Sequence, residues 1–73
     1  MDQTTLETAL EAHLKEMRER LDHAASIARA AQACADVGNV ENGVEIALDV
    51  EQLVYEVNTL LNAASLINRM SKT

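Results

Sequence analysis

Residues 38–43, Gly38-Asn39-Val40-Glu41-Asn42-Gly43, divide the chain into two long segments. Gly38 is able to take the left-handed conformation that ends a helix. Either Asn39 or Asn42 is suited to cap the next helix, and Glu45 follows Asn42 by three residues, as in a loose capping box. We therefore predict a turn at about 38–43 that connects two antiparallel helices.

The segment before the turn has the apolar spacing of a long helix. Its apolar residues recur at steps of three and four: Leu6, Leu10, Leu14, Met17, Leu21, Ala24, Ala28, Ala31 and Ala35. This spacing places them on one helical face. Thr4 with Glu7 forms a candidate capping box at the start. We predict a helix at about 5–37.

The segment after the turn repeats the pattern over about 44–70. Its stripe is Ile46, Val50, Leu53, Val57, Leu60, Ala64 and Ile67, widened by Ala47, Val54 and Leu61. Alternation of apolar and polar residues over 44–51 is also compatible with an exposed strand. Because the helical spacing continues well beyond Val50, the pattern favours a second helix.

The predicted fold is one all-α domain over 1–73, an antiparallel two-helix hairpin. A chain of 73 residues with a single cysteine has neither the size for a large core nor an internal disulfide to support it. Since two helices cannot cover so wide a stripe, we predict that two hairpins form a four-helix bundle as a homodimer. The alternative is a monomer of three short helices, which requires a bend in the first helix.

The predicted oligomer core is the set of large apolar positions along both stripes. It consists of Leu10, Leu14, Met17, Leu21, Val50, Leu53, Val57, Leu60, Ala64 and Ile67.

Charge and composition exclude several classes of function. Twelve acidic residues against six basic ones give a net charge of −6, which disfavours binding to nucleic acid or to an anionic membrane surface. No apolar run of about 18 residues is present, so we expect no membrane partner. The polar, charged start differs from a signal peptide, and one unpaired cysteine suits a reducing compartment, so we expect a cytoplasmic protein.

Residues with catalytic or metal-binding chemistry are few and scattered. His13 and His23 are ten residues apart, and neither belongs to the Glu-x-x-His pair of di-metal bundles. Cys34 lies near the end of a helix, where the dipole disfavours a thiolate. We predict no catalytic residue, no metal and no cofactor, hence no enzyme. A metal-binding bundle is the least favoured alternative.

A row of polar residues on the second helix resembles a protein contact surface. It is poor in Glu and Lys but contains a Tyr and an Arg: Tyr55, Asn58, Asn62, Ser65 and Arg69. The simpler interpretation of the row is an exposed face that tolerates Asn. We expect an acidic protein–protein interaction module that forms a dimer or tetramer and has a possible unknown protein partner. The alternative is a small chaperone, inhibitor or antitoxin-like subunit that pairs with a different protein.

Overall fold

The computed structural model describes residues 2–72, so Met1 and Thr73 of the predicted 1–73 domain lie outside the described residues. Helix α1 spans Gln3–Asp36, α2 spans Val40–Ala47 and α3 spans Val50–Ser71. Over residues 2–72 the chain has no strand, which confirms the all-α prediction and excludes the strand alternative at 44–51. Helix α1 packs antiparallel against α2 and then α3.

Helix α1 is a single helix of 34 residues. The bend in the first helix that the three-helix alternative requires is therefore absent, and the break between the shorter helices lies in the second half of the chain. Asp2 caps the helix by accepting a hydrogen bond from the Thr5 amide at 2.7 Å. The predicted capping box of Thr4 and Glu7 is wrong, because the helix begins two residues earlier than expected and Asp2 is its N-cap.

Helix α1 ends in the way that Gly38 predicts, with a left-handed backbone conformation just after the helix. Gly38 has φ of 92°, in the left-handed region. Its amide donates to the Ala35 carbonyl at 2.9 Å, and the Asn39 amide donates to the Cys34 carbonyl at 2.9 Å. These two bonds form a Schellman motif, which satisfies carbonyls that the helix end would otherwise leave unpaired.

The second arm of the hairpin, which consists of α2 and α3, begins earlier than predicted. Asn39 caps α2 by accepting from the Asn42 amide at 3.2 Å, so residues 40–43 are helical and the predicted turn at 38–43 is too long. Gly43 is buried inside α2, where an added Cβ would lie 2.7 Å from the Ala31 carbonyl oxygen. This glycine therefore allows close helix approach and does not form the turn.

The predicted helix at 44–70 is divided between α2 and α3 at Leu48 and Asp49. There the Asp49 amide donates to the Ile46 carbonyl and the Glu51 amide to the Leu48 carbonyl, both at 3.1 Å. These are three-residue spacings, typical of a tightened helical turn. The arm therefore continues in the same direction through the junction.

The core is a thin seam of small residues. The apolar residues that are at least nine-tenths buried are Leu6, Ala24, Ala31 and Ala64. The hairpin measures 55 × 14 × 12 Å, and its radius of gyration of 16.7 Å exceeds the roughly 11 Å of a compact chain of this length. A seam of this kind leaves much of each apolar stripe uncovered.

Candidate interaction surface

A cross-helix ion pair marks one side of the hairpin. Arg20 Nε lies 2.9 Å from Glu56 Oε1, and Arg20 also pairs with Glu16 on its own helix. The hydrogen bond from the Gln52 amide and then the one from Arg20 lower the pKa of Glu56 below its ordinary value. The paired residues are only partly exposed, at 29% and 37% of their side chains. We call this side of the hairpin the polar side.

The contact between α1 and α2 has a polar flank of the same kind. The Asn42 side-chain amide lies 4.0 Å from the sulfur of Cys34, which is half-buried. Cys34 follows Arg20 by 14 residues, close to four turns of helix, so both occupy the same side of α1. The polar side therefore includes Arg20 and Cys34 on α1, with the half-buried Ile27 between them.

The other side of the seam follows from helix geometry, at about 100° per residue. On α1, Arg20 and Leu21 lie on opposite sides of the buried line that passes through Ala24. On α3, Glu56 and Leu61 lie on opposite sides of the line through Ala64. Since Arg20 contacts Glu56, Leu21 and Leu61 must share the side that faces away from this pair.

This second side carries two rows of residues spaced by seven, which we call the apolar face. It consists of Leu14, Leu21, Ala28 and Ala35 on α1, with Val40, Ala47, Val54 and Leu61 on α2 and α3. None of the eight is charged.

The large side chains of the apolar face remain exposed in the hairpin. Leu14 is 58% exposed, Leu21 50%, Val54 51% and Leu61 51%. An isolated exposed leucine is ordinary on a protein surface, but a contiguous apolar strip along one side of a molecule is typical of an interface.

The structure divides the ten predicted core residues between the seam and the apolar face. Ala64 is buried, Leu14 and Leu21 are exposed, and the others are half-buried at the seam. The predicted core omitted Val54 and Leu61, which lie on the apolar face. The signal that identifies them is the seven-residue spacing from Val40 through Ala47.

The predicted partner face lies on the outside of α3, away from α1. All five of its residues are exposed, Tyr55 by 66%. Tyr55 also lines an open hollow on the polar side together with Arg20, Glu56, Thr59 and Leu60. Whether this face makes contacts stays a prediction.

The two histidines lie apart from each other. His13 is half-buried, with Nδ1 2.7 Å from the Ala9 carbonyl oxygen, and His23 is exposed. Within residues 2–72, no group of three or more His, Cys, Asp or Glu side chains is arranged to hold a metal ion. Across the same residues, none of the helices has the length and apolar character needed to cross a membrane.

The sequence matches no known protein family, and comparison with curated proteins and with solved structures finds no significant match.

Proposed function

We propose that this protein is a protein–protein interaction module that binds a second copy of itself through the apolar face, which completes a four-helix bundle. The observation that carries the proposal is that the Arg20–Glu56 pair bridges the helices on one side of the hairpin, whereas the other side exposes two rows of aliphatic residues. A second hairpin supplies the matching surface, because a two-fold dimer uses the same surface on both copies.

The exposed area supports a dimer of ordinary size. The chain exposes 5295 Å², whereas a compact monomer of 8.0 kDa exposes about 4,450 Å². The excess of about 850 Å² is close to the roughly 800 Å² that each partner buries in a standard interface. One additional hairpin is therefore enough to bring the exposed surface into the usual range.

The experiment is the absolute mass in solution, by light scattering on a size-exclusion column, together with the melting temperature over a concentration series. The proposal expects twice 8.0 kDa at high concentration and a melting temperature that rises with concentration, because association stabilises the folded state by mass action. A well-folded monomer at all concentrations contradicts it.

A second candidate is favoured by the outer face of α3, where Tyr55 is 66% exposed and Leu66 53%. In this candidate the module binds a different protein, as a small chaperone, inhibitor or antitoxin-like subunit does. A poorly folded monomer that becomes ordered only with another chain supports it. Tyr55→Ala with Asn62→Ala tests the outer face, since that double variant removes partner recovery without altering the dimer mass.

The proposal also keeps the expected cytoplasmic location, because a dimer held by apolar contacts needs no oxidising compartment. Cys34 supports this location, since it lies toward the polar side of α1 and away from the proposed interface.

A further inference from the structure

On α1, the side chains of the apolar face become smaller from one end of the hairpin to the other. We call the turn end of the hairpin the tip and the end that carries both termini the open end. From the open end to the tip, the α1 row runs Leu14, Leu21, Ala28, Ala35. The row on the other arm runs Leu61, Val54, Ala47, Val40 in the same direction. Both rows therefore place their leucines near the open end and their alanines toward the tip, although the second row ends at the tip with Val40.

Two packing arrangements bring one apolar face against another under two-fold symmetry. With the axis along the helices, both tips lie at the same end and α1 crosses onto α3 of the second copy. Leu14 then meets Leu61 near the open end, whereas Ala28 meets Ala47 and Ala35 meets Val40 toward the tip. With the axis across the helices, the tips lie at opposite ends and α1 packs on α1.

The second arrangement pairs a large side chain with a small one in each layer, so the spacing between the helices stays even. Leu14 of one copy lies over Ala35 of the other, and Leu21 lies over Ala28, so each layer on α1 contains one large and one small residue. Close-packed interiors require such complementarity, since an Ala–Ala layer beside a Leu–Leu layer leaves a void or forces the helices apart.

The distribution of charge favours the same arrangement. Residues 20–55, the half nearer the tip, contain six acidic and two basic residues, for a net charge of −4. The remainder contains six acidic and four basic residues, for a net charge of −2. Tips at the same end would place the two −4 halves together. Tips at opposite ends place each −4 half beside the half that holds most of the Lys and Arg, which reduces repulsion.

We propose that the two copies pack antiparallel, with the tip of each hairpin over the other copy near Glu11, toward its open end, and the two-fold axis crossing α1 between Leu21 and Ala28. This orientation rests on the proposed self-association. It makes the partner of the apolar face a reversed second copy, selected by size complementarity along the row and by charge.

The test is a distance measurement between spin labels in the dimer, after its mass has been confirmed. In a Cys34→Ala background, Val37→Cys places a label at the tip, where Val37 is 84% exposed. Val37 lies about 12 residues from the proposed axis, so the antiparallel dimer separates the two labels by about 35–40 Å at 1.5 Å per residue. The arrangement with both tips at one end brings them within about 20 Å.

A mixed sample supplies the matched control, because Glu11 lies as far from the proposed axis as Val37 but on the opposite side. Chains labelled at Val37→Cys, mixed with chains labelled at Glu11→Cys, add a short distance in the antiparallel dimer and a long one in the other. A long tip-to-tip distance with a short mixed distance supports the inference, and the reverse overturns the orientation alone. A monomeric mass overturns the self-association on which the orientation rests.

Discussion

Leu61→Ala is expected to weaken the dimer, whereas Leu66→Ala is not. The two leucines are a matched pair, because both lie on α3 and they are 51% and 53% exposed. They point in different directions, since five residues correspond to about 140° around a helix. Leu61 belongs to the apolar face and Leu66 to the outside of α3, so only Leu61 is covered by a second hairpin.

The size of the effect follows from the exposed fraction of Leu61. Complete burial of a leucine side chain contributes roughly 1.5–3 kcal/mol, and about half of this burial already exists within the hairpin. Dimerisation therefore contributes about 1 kcal/mol per copy, or about 2 kcal/mol for the symmetric pair. Loss of this amount raises the dimer Kd about 30-fold.

The assay is sedimentation equilibrium over a dilution series, with circular dichroism at each concentration to confirm that the helices persist. Equal changes in Kd for Leu61→Ala and Leu66→Ala, or no change for Leu61→Ala, would refute the assignment of the apolar face as the interface. If the apolar face is the interface, the two variants differ in Kd although the two leucines are nearly equally exposed in the hairpin.

Three further predictions concern the hairpin itself. Gly43→Ala is expected to lower the free energy of unfolding by about 1–3 kcal/mol in urea titrations, because the new methyl group would meet the Ala31 carbonyl oxygen at 2.7 Å; unchanged stability would show that the helices separate easily. The hydrogen bonds from Gln52 and then from Arg20 lower the pKa of Glu56 in the folded protein, so they stabilise it above the ordinary carboxyl pKa, and this contribution is lost as the pH falls through the lowered value. The melting temperature of Glu56→Gln should therefore lie below that of the unmodified protein at pH 7 and approach it at acidic pH, below the ordinary carboxyl pKa, and a constant gap would count against the pairing. Reducing agent, or Cys34→Ala, should leave the dimer mass unchanged in light scattering, and a reductant-sensitive dimer would place the interface on the polar side.

The long helices could be predicted because their signals are local. The apolar spacing across α1 and the left-handed capability of Gly38 gave a helix at about 5–37, close to the observed Gln3–Asp36. The sequence alone did not reveal the role of Gly43, because that role depends on how closely α1 approaches. Without knowledge of the tertiary contacts, a glycine next to an asparagine indicates a turn. The division at Leu48 and Asp49 has no glycine or proline to indicate it.

The candidate surface could be predicted only in part, since some residues of each apolar stripe lie in the seam between the helices and others lie on the apolar face. The sequence shows that Leu14 and Leu21 belong to the same stripe as Leu10 and Met17. It does not show which edge of the stripe turns toward the other arm. That rotation is set by tertiary contacts, and the Arg20–Glu56 pair is the one that identifies the two sides. The same rotation leaves Leu14 and Leu21 outside the seam and Leu10 and Met17 half-buried within it.

The distribution of residue sizes connects folding to association. Ala24, Ala31 and Ala64 occupy the best-buried positions of the seam, and each removes only about one methyl group from water. Such small residues let the helices approach closely, but their contribution to stability is limited. The leucines of the apolar face have more surface to bury, and they lie outside the seam at about half exposure. Covering the apolar face would bury these leucines further, so the proposed association would also stabilise the fold.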